Sequence, residues 1–254
     1  RSSAASDVYK RQYENLAASV DEKGNIIIKD KYLLSMKDFN ASKHLKNLID
    51  ANVKSFKIEG RLKDINYVRN VVAYYRREID KFADKTSSGK VFLDFEPDVR
   101  KSFNRGFTDY FLNERKKCFN FESPKSLGEK LGKIKLVGKN YFEIEWSKNA
   151  SSKSLSPQDG LYFNEMGCLV NKTEGNKIFP NKMDGIKTGI EIYRNFDSKF
   201  EKQLENSKTK RQIEVKFIYE KGVLKAIDED ENSTELNIDC SEIPKNPEKM
   251  KENF

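Results

Sequence analysis

Ser55-Phe56-Lys57-Ile58-Glu59-Gly60-Arg61 is the stretch on which the reading of this chain turns. Phe56 and Ile58 alternate with Lys57 and Glu59, so an extended strand would send the two pairs to opposite faces. Gly60-Arg61 then breaks it. Downstream, Val68, Val71, Val72, Tyr75 and Ile79 recur at helical spacing, which predicts an amphipathic helix from Asn66. Upstream, Asn25–Ile28 follows a Lys23-Gly24 turn and reads as a strand, and Tyr32-Leu33-Leu34 as a second short run. Phe39, Leu45, Leu48 and Ile49 line one face of a helix that Asp38 or Ser42 caps. Strand, helix, strand, helix in that order predicts a parallel α/β sheet or barrel.

Beyond this block the period changes. Lys85-Thr-Ser-Ser-Gly89 reads as a linker, and residues 86–125 as a connector. Gly132–Val137 and Tyr141–Trp146 flank Gly138-Lys139-Asn140 as a hairpin. Leu161–Phe163, Cys168–Val170, Lys177–Phe179 and Ile190–Tyr193 are further short strands between glycine-bearing turns. So many short strands in so few residues predict a small antiparallel β-barrel over 126–208. Lys199–Asn206 reads as a short helix. Gln212–Tyr219 and Val223–Ile227 flank Glu220-Lys221-Gly222 as the opening of another β unit over 209–254. The fold class is therefore α+β: a parallel α/β sheet or barrel over 13–85, then the small barrel.

The ends read as abrupt. Arg1 to Gln12 has no initiator Met, no signal-peptide core and no period, and resembles translated adapter sequence. Pro244 to Phe254 stops inside a starting helix, so the expectation is an internal fragment.

Of 254 residues, 37% are hydrophobic and 35% charged, against a usual ~45–50% and ~25%. No window approaches the ~18 apolar residues of a spanning helix. Yet 17 Phe and 11 Tyr suffice for a core. Cys118, Cys168 and Cys240 are odd in number and form no CxxC pair, which fits a reducing, cytoplasmic setting. The single histidine, His44, argues against histidine-rich zinc sites and a Ser/His triad. A net charge of +8 suits an anionic partner such as RNA, or reflects a lysine-biased proteome.

Lys57, Glu59 and Arg61 are the candidate catalytic residues. Catalytic groups of a parallel barrel sit where strands end. A carboxylate between Lys and Arg stays ionised and can orient a substrate, hold a metal or lock an Arg that grips phosphate. The bland alternative is an ion pair closing the barrel end. Ser35, Lys37 and Asp38 end the preceding strand and face the same rim, with helix capping as the alternative for Asp38. Asn104, Arg105, Gly106 and Phe107, with Phe103 and Tyr110 nearby, suit a loop that contacts phosphate or stacks on bases; the alternative is a packing loop. Arg115-Lys116-Lys117 reads as solvated and His44 as exposed without a role.

Three blocks together resemble the collagenase-like peptidase family U32: Lys31–Phe39, Ser55–Arg61 with the Tyr67-Val68 and Tyr75-Arg76 helix, and Phe103-Asn-Arg-Gly-Phe-Thr108. The resemblance is strong over about 26–125. It continues more weakly over 126–254, toward the branch that hydroxylates ribosomal RNA. It implies a TIM-like barrel, an iron–sulfur cluster held by cysteines upstream of Tyr13, and an enzyme as parent. That parent is either a hydroxylase of a large-subunit ribosomal RNA base or a peptidase. None of the three cysteines here matches a cluster ligand, so the fragment itself is expected to hold no cofactor and to be inactive alone. A non-catalytic RNA- or ribosome-binding module is the third reading.

Overall fold

The computed structural model describes residues 16–83 and 88–238, with side chains except at 16–20, 29 and 30. The readings of 1–12, 85–87, Cys240 and 244–254 fall outside these residues. The chain divides into two compact units: 16–83 with 95–207, and 88–94 with 208–238.

The first unit opens with an antiparallel ribbon, β1 (Leu16–Val20) on β2 (Ile26–Lys31), across an Asp21–Asn25 turn. β3 (Asp38–Phe39) follows, then a 3₁₀ turn at Ser42–His44 running into α1 (Leu45–Asp50). α2 (Ile65–Ile79) is capped by Asp64, whose carboxylate accepts from Tyr67 N at 2.7 Å. Neither Asp38 nor Ser42 caps a helix: Ala41 precedes the turn without a side-chain bond. The expected strand at 55–59 is absent; residues 53–60 have no regular structure. Alternation alone does not make a strand, because its backbone groups need a partner ladder, and none pairs with this stretch among the described residues. Tyr32–Leu34 likewise forms a turn. The parallel strand–helix alternation predicted here is replaced by an antiparallel ribbon and two helices.

α2 is also turned differently from its apolar stripe. Its buried face carries Asn66, Asn70, Val71 and Ala73, while Val72 is exposed. The polar face goes inward because its amides have partners. Asn70 Oδ1 accepts from Asp98 N at 2.9 Å, and Nδ2 donates to Asp98 O and Ser102 Oγ.

β4 (Lys90–Phe92) belongs to the second unit. β5 (Phe107–Thr108) pairs in parallel with β3. The chain then builds a closed antiparallel barrel from β6 (Glu129–Val137), β7 (Phe142–Trp146), β8 (Gly160–Phe163), β9 (Met166–Glu174), β10 (Lys177–Pro180) and β11 (Glu191–Phe196), ordered β10-β7-β6-β11-β8-β9. Closure leaves no free sheet edge. Leu131, Ile134, Phe142, Leu161, Phe163 and Ile192 fill the interior, each contributing roughly 1.5–3 kcal/mol by burial. Gly128 has φ +74°, and a Cβ there would overlap the Arg194 backbone, so only glycine lets β6 enter beside β11. α3 (Ser198–Glu205) follows, capped by Asp197, which accepts from Phe200 N at 3.1 Å. α2 binds it: Asn66 Nδ2 donates to Glu201 at 2.8 Å and Arg69 to the Leu204 carbonyl at 2.9 Å.

In the second unit β12 (Lys210–Gln212) pairs with β4, so Lys90–Phe92 is strand rather than connector. β13 (Val215–Glu220), β14 (Val223–Asp228) and β15 (Ser233–Asn237) form an antiparallel meander. Lys221 and Gly222 both have positive φ, the backbone of a tight primed hairpin turn.

Candidate nucleic-acid interface

The β3–β5 pairing brings two of the sequence blocks together. Asp38 N donates to Gly106 O at 2.9 Å, and Asn40 N to Thr108 O at 2.8 Å. The Asp38 carboxylate accepts from Arg105 N at 2.7 Å and from its guanidinium at 2.9 Å. Both side chains are largely covered, at 15% and 23% exposure. Arg105 therefore serves as an internal clamp with its charge satisfied. Asn104 is buried and bonds the Arg100 and Ser102 carbonyls, which shapes the loop. Gly106 takes φ +82°, the left-handed turn that lets Arg105 fold back. Ser35 is buried and donates to Ser123 O at 3.1 Å. These residues build a scaffold; Lys37 and Phe107 are the members of the two blocks that line open space.

Beside the clamp lies Lys63, whose ammonium sits 3.0 Å from the Phe103 ring centroid. Burial holds its pKa below the usual lysine value. Burial also raises the Tyr67 hydroxyl, with the Asp38 charge adding to the effect.

Lys57 and Glu59 are not brought to this scaffold by any contact. They pair with each other at 2.7 Å in solvent, at 83% and 72% exposure. The hydrogen bond from Lys57 lowers the Glu59 pKa, and Arg61 adds a smaller charge effect. Arg61 is exposed as well. In this block Gly60 comes close to Val68 and Tyr67 of α2.

The open space is a cleft of about 870 Å³. Its walls are the turn at 42–44, Tyr74 and Arg77 of α2, residues 96–100, the β5 end at 107–109, and Lys116-Lys117. Six Lys or Arg line it against three carboxylates. Tyr74 and Tyr75 fix the near wall, Tyr74 OH donating to Ser42 Oγ at 3.3 Å and Tyr75 OH to Asn40 at 3.1 Å. His44 is no exposed bystander. Its Nε2 lies 2.9 Å from Asp109 Oδ2, in a mostly buried pair, and this bond lowers the Asp109 pKa. Its Nδ1 faces Asn113 at 3.5 Å, so the ring is held from both sides. No sequence pattern links residues 65 positions apart; His44 being the single histidine was the available hint.

The two described cysteines do not fit an iron–sulfur ligand set. Cys168 lies in the barrel core, and burial pushes its thiol up to about 11, the opposite of the thiolate a cluster needs. Cys118 is half-buried and free. No group of three or more His, Cys, Asp or Glu among the described residues is placed to hold a metal ion. None of the described helices is long and apolar enough to cross a membrane.

Residues 3–120 match the model of peptidase family U32, and that part of the chain belongs to the family. It is similar to the 23S rRNA 5-hydroxycytidine C2501 synthase of Escherichia coli, 34% identical over 215 residues, covering 77% of this chain and 32% of the relative. It is 33% identical over 89 residues to a collagenase of Porphyromonas gingivalis, covering 35% of this chain and 22% of that one. It is also 34% identical over 100 residues to tRNA hydroxylation protein P of Haemophilus influenzae, covering 39% and 20%. The chain thus spans a third or less of the length of these curated relatives. No solved structure matches it.

Proposed function

We propose that this chain is part of an RNA-modifying enzyme that hydroxylates a base of large-subunit ribosomal RNA. The observation that carries the reading is the reach of one similarity. A match covering 77% of the chain has to run through the six-stranded barrel, whereas the collagenase match, at 35%, need not. The tRNA hydroxylation relative places a second RNA-directed name beside it. The basic cleft supports the same reading, since Lys and Arg in excess of carboxylates suit a phosphate backbone.

In this reading the described residues bind and orient RNA. The Asp38–Arg105 clamp holds Gly106 and Phe107 in place, and the barrel fixes the far wall of the cleft through Ser151. Neither Cys118 nor Cys168 belongs to a group of side chains that could hold a metal ion. The α/β barrel and the iron–sulfur cluster implied by the resemblance remain part of the proposal for the longer parent. Peptidase activity is the rival, and no nucleophile–base pair is assembled in the cleft, where both nitrogens of His44 are already engaged.

The test is a gene deletion. Mass spectrometry of 23S rRNA should show a hydroxycytidine lost on deletion and restored by the gene, with gelatin hydrolysis by the purified protein absent. Unchanged RNA together with gelatin cleavage would replace this reading with the peptidase.

A further inference from the structure

The cleft holds three lysines without a carboxylate partner. Each of its acidic residues already has a cation: Glu96 pairs with Arg77, Asp98 with Arg100 at 2.6 Å, and Asp109 with Lys116 at 3.4 Å as well as His44. Lys37, Lys43 and Lys117 have no ion pair among the described residues, and Lys43 and Lys117 are exposed. Three unneutralised ammonium groups facing one concave surface repel one another, and a ligand with spaced negative charges removes that cost.

The backbone holds them in place. Lys37 N donates to Cys118 O at 2.9 Å, so the Lys37 and Lys117 segments run side by side. Lys117 lies over the Phe119 ring at 4.9 Å. Lys43 sits on the turn that Tyr74 and Tyr75 tie to α2. On the lining of the same cleft Phe107 leaves 38% of its surface uncovered. An open ring beside fixed cations is what unpaired bases stack upon. At about 870 Å³ the cleft is at the upper end of the usual ~300–1,000 Å³ range for ligand sites.

We propose that this cleft is the groove for a single-stranded segment of RNA, with Lys37, Lys43 and Lys117 on successive phosphates and Phe107 under an unpaired base. The proposal rests on the RNA reading above and deepens it by moving RNA contact away from Arg105, which is spent on Asp38. A duplex offers no free base face to Phe107, and an acidic peptide offers charge without one.

The test is fluorescence anisotropy of the whole chain with a 12-nucleotide oligouridine, a blunt 12-base-pair RNA duplex and poly-glutamate. For the single strand, log affinity against log salt should fall with a slope of about −2, about 0.7 for each of three phosphates. Lys43→Gln with Lys117→Gln should flatten the slope to about −0.7. Phe107→Leu should weaken the single strand about tenfold and leave the slope unchanged. Lys133→Gln, on the barrel surface, should change neither. Circular dichroism melts show that each variant folds. Equal slopes for wild type and the double lysine variant, or equal affinity for poly-glutamate or duplex, would overturn the groove. If ribosomal RNA hydroxylation survives in cells carrying those variants, the groove alone falls and the RNA reading stands. If it is never seen at all, the reading beneath the groove falls.

Discussion

Two arginines show how differently the barrel and the motif region are built. Arg194 of β11 is 4% exposed and lies among three buried carboxylates: Glu129 at 2.8 Å, Asp197 at 3.1 Å and Asp159 at 3.6 Å. Lys101 joins from outside at 3.1 Å from Asp197. Asp159 also accepts from Ser198 N and Ser156 N, and Asp197 caps α3. One guanidinium thus ties β6, β8 and β11 to the helix that follows. Its Nε has no hydrogen-bond partner, so the network is not fully satisfied. Arg105 pairs with Asp38, and both keep 15–23% of their side chains exposed. The barrel spends its buried charge on holding itself together. The motif region spends less on itself and leaves Phe39, Phe107 and Phe111 uncovered.

The sharpest break of this contrast is at Arg194. Arg194→Met leaves three buried carboxylates with a single mostly covered lysine, and should cost about 3–5 kcal/mol. Urea unfolding should show it as a lower midpoint; a loss below about 1 kcal/mol would mean the network is solvated. Phe142→Ala, a cavity in the barrel core, should cost a similar ~3–5 kcal/mol. Asp38→Asn should cost less, about 1–3 kcal/mol, because a charged hydrogen bond is weakened in a region that keeps water within reach. Hydrogen exchange should localise that loss to 36–40 and 104–108 and leave β6–β11 protected. Glu59→Gln should leave the unfolding midpoint where it is, since both partners of its ion pair lie in solvent.

Cys168 gives a pH test confined to the barrel. Its folded pKa, about 11, lies above the ordinary thiol value. The neutral thiol is the form that folding favours. Its stabilisation is therefore full below the unfolded pKa and is lost as pH rises from about 9 through 11. Urea midpoints at pH 8 and 10.5 should fall further for wild type than for Cys168→Ala. Native Cys168 should also resist alkylation at pH 8 that Cys118 undergoes.

The barrel was legible because its signals are local. Period-two apolar runs and glycine-bearing turns each lie within ten residues or so, and every predicted strand there is observed, with the helix displaced by one residue. The network around Arg194 was not legible, because two of its three carboxylates lie 35 and 65 residues away and nothing in an isolated Glu or Asp marks it as buried. The stretch at 55–59 misled for a related reason: alternation describes what a strand would look like if a ladder existed. In the candidate site two of the blocks meet, with Asp38 on Arg105. Their roles were mixed, because charge alone does not say whether an arginine faces a carboxylate or the solvent. Lys117 reads as part of a solvated run and Lys43 carries no sequence signal; what sets them apart is that every carboxylate of the cleft pairs with another cation.

The central claim is that the paired blocks and the cleft beside them serve RNA modification. Its most direct test is the hydroxycytidine content of 23S rRNA, by mass spectrometry, in cells whose only copy of the gene carries Lys43→Gln and Lys117→Gln. The account predicts a drop of tenfold or more relative to wild type at equal protein level, with Lys133→Gln indistinguishable from wild type. Full hydroxylation in the cleft variant would contradict it.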